Sequence, residues 1–82
     1  MRLDKYLKVS HIIKRRTVAN EACDAGRVVV NGKIARASYD VKVNDVIELT
    51  LGARTVKARV VSVNEYAKKD EAAMMYEIIE EK

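Results

Sequence analysis

Nine cations stand in the first 36 residues of this chain: Arg2, Lys5, Lys8, Lys14, Arg15, Arg16, Arg27, Lys33 and Arg36. Only Asp4, Glu21 and Asp24 oppose them, a local balance of +6 in a chain whose formal net charge is +4. Guanidinium and ammonium groups gathered on a small frame hold phosphates, through charge-assisted hydrogen bonds and through their summed field. A basic cluster of this kind is the electrostatic footprint of a nucleic-acid backbone binder.

Other chemistries lack their parts. One cysteine, Cys23, and one histidine, His11, give neither an internal disulfide nor a metal-ligand cluster. No nucleophile and base are paired by spacing, no glycine-rich phosphate loop is present, and Asp4 and Asp45 are isolated carboxylates, so the expectation is a protein that is not an enzyme and carries no cofactor. Cys23 lies among apolar helix positions and reads as a buried thiol, while His11 reads as a surface or contact residue. Four Tyr with no Phe or Trp cannot build a wide stacking platform, so phosphate contacts and shape should dominate recognition. Tyr6 and Tyr39 are expected to pack. No apolar run marks a signal peptide or a membrane span, which fits a cytoplasmic, reducing location.

The elements that must position these cations follow from periodicity. Leu3, Tyr6, Leu7 and then Ile12 or Ile13 recur at helical spacing, predicting a first amphipathic helix that breaks near Ser10. Thr17 is the expected N-cap of a second helix through Ala25, with Val18, Ala19, Ala22 and Cys23 as its buried stripe and Gly26 closing it. The period then changes. Val28-Val29-Val30, Asn31-Gly32 and Lys33-Ile34-Ala35 predict a hairpin, because Asn-Gly suits a type I′ turn. Val41-Lys42-Val43 and Val46 to Leu51 read as strands about an Asn44-Asp45 turn. Residues 54–63 alternate apolar Val56, Ala58 and Val60 with Lys57 and Arg59, a half-exposed strand whose outer cations could extend the basic surface.

Residues 64–82 reverse the charge, with three Lys against six acids. Asp70 is the expected cap of a helix containing Ala72, Ala73, Met75, Tyr76 and Ile79; the alternative is a short helix followed by extended Glu77-Ile78-Ile79. The expected class is therefore α+β: two short helices on a small antiparallel sheet over residues 1–63, then an acidic, partly helical tail over 64–82.

Three strings carry a resemblance. Arg2-Leu3-Asp4 opens the chain, Arg16 precedes Ala19 by three residues, and Gly26-Arg27-Val28-Val29-Val30-Asn31-Gly32 follows. Together they resemble the RNA-binding domain named after ribosomal protein S-four, over residues 1–50; Arg15 stands where Ser is commoner, which adds charge. The resemblance implies a helix pair that presents a basic surface to structured RNA. Arg2 and Arg16 match its RNA-facing positions, and Asp4 matches a position that caps the first helix, orients an Arg or touches a 2′-OH. Lys5, Lys8, Lys14 and Arg15 would supply the surrounding field, and Arg27, Lys33 and Arg36 would reach a second RNA segment. Asn31 and Gly32 are assigned to the turn.

Among stand-alone proteins of this type, the chain resembles two groups: the fifteen-kilodalton heat-shock protein and, more closely, bacterial ribosome quality-control factors. The second resemblance implies a monomer that binds the large (50S) subunit obstructed by peptidyl-tRNA. It would contact large-subunit rRNA and tRNA, holding the tRNA in the P site while a nascent-chain tailing factor acts. The alternatives are a recycling factor for dissociated subunits and a protein-interaction module acting through the acidic tail.

Overall fold

The computed structural model describes residues 1–81. The sheet has five strands, all antiparallel: β1 (Val28–Val30), β2 (Lys33–Ile34), β3 (Val46–Leu51), β4 (Arg54–Val60) and β5 (Tyr76–Glu81), in the order β2-β1-β3-β4-β5. Alternation places Val28, Val30, Ile47, Leu49, Ala58 and Val60 on one buried face. Against that face pack α1 (Leu3–Val9) and α2 (Arg16–Asp24), through Leu3, Tyr6, Leu7, Ala19 and Cys23. The α+β expectation holds. On the opposite face the β4 register sets Lys57 between Glu48 and Glu80.

The helix α1 ends at Ser10, as expected, and His11 follows in the left-handed region at φ 63°. The start of α2 differs from expectation. Arg15, not Thr17, is the N-cap, and no side chain caps the helix. Starting at Arg16 puts Arg16 and Asn20 one turn apart, and both donate to Asp4. That tertiary contact outweighs the local preference for a hydroxyl cap. Val18 is 43% exposed and is not part of the buried stripe. The small residues Ala19, Ala22 and Cys23 centre the packed face and leave Val18 at its margin.

The hairpin is as predicted: Asn31 and Gly32 have φ 53° and 83°, the pair of positive values a type I′ turn requires. Gly26, at φ 73°, closes α2 one residue past its C-cap Ala25. Residues 41–43 are not a strand. Val41 is buried and donates its N–H to the carbonyl of Met1 at 2.8 Å, and the Asp45 carboxylate accepts the Lys42 N–H at 3.0 Å. A carboxylate folding back on the backbone two or three residues away makes a turn, so the valines here do not extend.

The acidic segment also differs. Its helix α3 (Lys69–Ala72) is four residues long with Lys68, not Asp70, at the N-cap, and Tyr76 to Glu81 add β5 to the sheet. The alternative of a short helix followed by extended chain is the correct one. β-Branched Ile78 and Ile79 suit the strand, and Glu77 meets Arg59 across it at 2.8 Å. Lys82 lies outside the described residues.

Tyr6 joins the two ends of the domain. Its hydroxyl donates to the Met75 carbonyl at 2.7 Å, buried and 69 residues away, and burial first, with Tyr76 second, raises its pKa. That carbonyl also accepts the N–H groups of Val61 and Ser62. Tyr6→Phe therefore deletes a donor without orphaning the acceptor, and we expect a loss of about 1 kcal/mol. Thermal unfolding should record it as a midpoint about 4–8 °C lower. An unchanged midpoint would show that the bond contributes nothing.

Candidate nucleic-acid interface

The amino end of α1 builds a charged site around one carboxylate. Asp4 is 2% exposed, because its neighbours Leu3 and Leu7 point into the core and draw the helix down. It accepts the Lys5 N–H at 2.8 Å, Arg2 Nε at 3.2 Å, Asn20 Nδ2 at 3.3 Å and Arg16 Nε at 3.5 Å. Burial pushes its pKa up, but the hydrogen bonds from Asn20, Lys5 and Arg2, with the charge of Arg16, more than offset this and hold it below the ordinary value. Both arginine side chains remain about half exposed. Each guanidinium carries five N–H donors in a planar fork. Arg16 gives Asp4 its Nε, and Arg2 gives it Nε and, at 3.5 Å, Nη2, which leaves the remaining donors of each fork to an outside phosphate.

Asp4 thus orients arginines. It is the second residue of α1 and not its N-cap, which is Arg2, but its carboxylate also accepts the first-turn Lys5 N–H and so satisfies one of the donors at the helix start. Asn20 is a member of this site that neither charge nor motif indicates; its spacing of four from Arg16 on a helix is the sequence signal for it.

Among the predicted contacts, the structure brings Arg2, Asp4 and Arg16 together. Lys5 is drawn toward Glu65, at 3.7 Å. Lys8 is partly buried, whereas Lys14, Arg15, Arg27, Lys33 and Arg36 are exposed; none of these six forms an ion pair among the described residues. Arg59 is engaged internally, by Glu77 at 2.8 Å and Asn44 at 2.9 Å, so β4 does not continue the basic surface there.

A second carboxylate fixes the hairpin. Asp45 accepts from Tyr39 Oη at 2.9 Å, Asn31 Nδ2 at 3.0 Å and the Lys42 N–H. Asn31 Oδ1 in turn accepts the Val46 N–H at 3.0 Å. Burial raises the Asp45 pKa, and these three donors, with the Lys42 charge, bring it below the ordinary value. Asn31 is a structural residue, and Tyr39 packs against the core. The Leu3 N–H bonds the Tyr39 carbonyl at 2.8 Å and the Asp4 N–H bonds the Ala37 carbonyl at 3.2 Å, so the loop after β2 is tied to the start of α1.

The Cys23 thiol is buried, and burial, followed by the nearby Asp4 and Asp24, raises its pKa to about 11. No group of three or more His, Cys, Asp or Glu among the described residues is placed to hold a metal ion. No described helix is long and apolar enough to cross a membrane.

The S4 domain model matches residues 1–47, which run from α1 into β3 and include both carboxylate hubs. The chain belongs to the S4 domain family. The rest of this S4 domain protein has relatives too. An RQC P-site tRNA stabilizing factor from Streptococcus pneumoniae is 56% identical over 81 residues, covering 99% of this chain and 92% of that one. One from Bacillus subtilis is 49% identical, covering 99% and 94%. Among solved structures, the trimeric heat shock protein 15 of Vibrio cholerae superposes with a TM-score of 0.86 at 26% identity, covering 95% of this chain and 80% of that one. The S4 match stops within β3, whereas the relatives extend through β4, α3 and β5.

Proposed function

We propose that the protein is a non-enzymatic, monomeric factor of bacterial ribosome quality control. It binds the large subunit obstructed by peptidyl-tRNA and holds the tRNA in the P site during tailing of the stalled chain. The observation that carries this reading is the pair of half-exposed arginines, Arg2 and Arg16, held by one buried carboxylate. Side chains oriented before binding lose less entropy on meeting a phosphate. The names and near-complete coverage of the relatives support the ribosomal setting.

The helix pair carries Arg2, Lys8, Lys14, Arg15 and Arg16, and the hairpin region carries Arg27, Lys33 and Arg36. A protein that touches rRNA with one set and tRNA with the other stabilises the arrangement in which both are in reach. It needs no covalent step, because binding one state selectively shifts the population toward it. The acidic edge strand β5 faces away from phosphate or toward a protein such as the tailing factor.

Sucrose-gradient co-sedimentation across a salt series tests the reading. Large subunits carrying peptidyl-tRNA should retain the protein at low salt. If about six phosphates are neutralised, log affinity should fall with log salt at a slope of about −4 to −5. Protein left at the top of the gradient at low salt would overturn the ribosomal reading. The likeness to heat shock protein 15 favours a second reading, recycling of dissociated subunits; a deletion strain that still tails stalled chains would select it.

A further inference from the structure

Beside the hairpin lies a concavity of about 630 Å³, lined in part by Lys33, Ile34, Ala35, Arg36, Ser38 and Tyr39. Its volume falls within the roughly 300–1,000 Å³ typical of sites for small-molecule-sized groups. None of its lining residues is acidic. Asp45 stands close by, but its oxygens already accept from Tyr39, Asn31 and Lys42. The Tyr39 hydroxyl hydrogen is therefore committed, and the Asn31 amide is held by Asp45 and the Val46 N–H, so the hollow offers apolar walls, one serine hydroxyl and two cations that form no ion pair among the described residues.

Ile34 is the informative residue. It is 70% exposed, on a two-residue edge strand between Lys33 and the Ala35–Arg36 segment. Its nearest approach to Gly26 leaves that glycine's missing Cβ at ordinary contact distance, 3.9 Å, so Ile34 is not clamped into the core. A large aliphatic group left in water beside two phosphate-seeking cations matches the two halves of a nucleotide. The base presents an apolar face and the phosphate a charge.

A base stacked in an A-form helix offers no such face, because its planes are covered and its major-groove edge lies deep. An unpaired nucleotide does. We propose that this hollow receives a single unstacked nucleotide of the bound RNA, with the base against Ile34 and Tyr39 and the phosphate on Lys33 and Arg36. Ser38 offers a hydroxyl to the edge of the base. The inference rests on the RNA-binding reading above and extends it from backbone contact to recognition of a looped-out base. The site is built in register with the arginine cluster, since the Tyr39 and Ala37 carbonyls are bonded to the first residues of α1.

Two RNA hairpins of equal length and charge test this, one fully paired and one with a single bulged 2-aminopurine. The full-length protein should bind the bulged hairpin about tenfold more tightly, the scale of covering one aliphatic side chain. Its 2-aminopurine fluorescence should rise as the base leaves the stack. Ile34→Ser should erase both the preference and the rise while leaving affinity for the paired hairpin and the thermal midpoint unchanged, and Ile34→Val should restore them. Equal affinity for the two hairpins, or a preference that survives Ile34→Ser, would overturn the nucleotide site and leave backbone binding intact. Failure to bind either hairpin would overturn the RNA reading as well.

Discussion

Arg16→Ala is expected to weaken binding to peptidyl-tRNA-bearing large subunits by about 10–100-fold, the range of one or two charge-assisted hydrogen bonds at about 1.5–3 kcal/mol each. The magnitude follows from geometry. Arg16 lies in the first turn of α2, with Nε turned to Asp4 and half of its side chain exposed. Its loss removes donors already aimed outward. The slope of log affinity against log salt should become shallower by about one. Arg16→Lys should restore the slope but only part of the affinity, since an ammonium keeps the charge and loses the planar fork. Stability should change by less than about 1 kcal/mol, because the pair with Asp4 is solvent-screened on the arginine side. Full co-sedimentation by Arg16→Ala would remove this residue from the interface.

Asp4→Ala should do more damage than any single cation, although the carboxylate is buried. Two effects combine. The Lys5 and Asn20 donors lose their acceptor, and Arg2 and Arg16 are left as like charges with nothing between them. Stability should fall by about 2–4 kcal/mol, as for breaking a buried charge network. Subunit affinity should fall at least as far as in Arg16→Ala, because both guanidiniums lose their orientation. Urea unfolding and co-sedimentation of the same variant separate the two effects. A stable variant with full affinity would mean that the arginines hold their positions unaided.

The same carboxylate sets an acid limit. Its folded-state pKa lies below the ordinary 3.8, so its contribution to stability is complete above about pH 4 and is lost as pH falls through the lower folded value. Asp45, also held below the ordinary value, acts in the same direction. Asp4→Asn should therefore flatten the loss of stability below pH 4, while costing part of that stability at neutral pH.

Legibility in the sequence tracked how local each cause is. Asn31-Gly32 announced the hairpin because the turn itself demands positive φ at both positions, and Gly26 marked a helix end for the same reason. The first residue of α2, by contrast, is set by a carboxylate twelve positions earlier, which no capping rule contains. Val41 to Val43 have strand propensity, but Asp45 gathers Lys42 into a turn. At Tyr76 to Glu81 the helical spacing of apolar residues competed with β-branching, and the open edge of β4 decided for a strand. The basic residues themselves were plain in the sequence. Their grouping was not, because Glu65 and Glu77, which draw off Lys5 and Arg59, arrive from the far end of the chain.

The bond from Tyr6 to the Met75 carbonyl also bears on the order of synthesis. A chain emerges amino end first, so α1 and α2 leave the exit tunnel long before the residue that closes over them. At roughly 5–20 residues per second, 69 residues correspond to a delay of about 3–14 s. During that interval the nascent protein displays its cations without the edge strand β5 and without the buried bond from Tyr6. A partly made copy therefore carries the charge of the site before the bond that ties α1 to the far end of the domain can form.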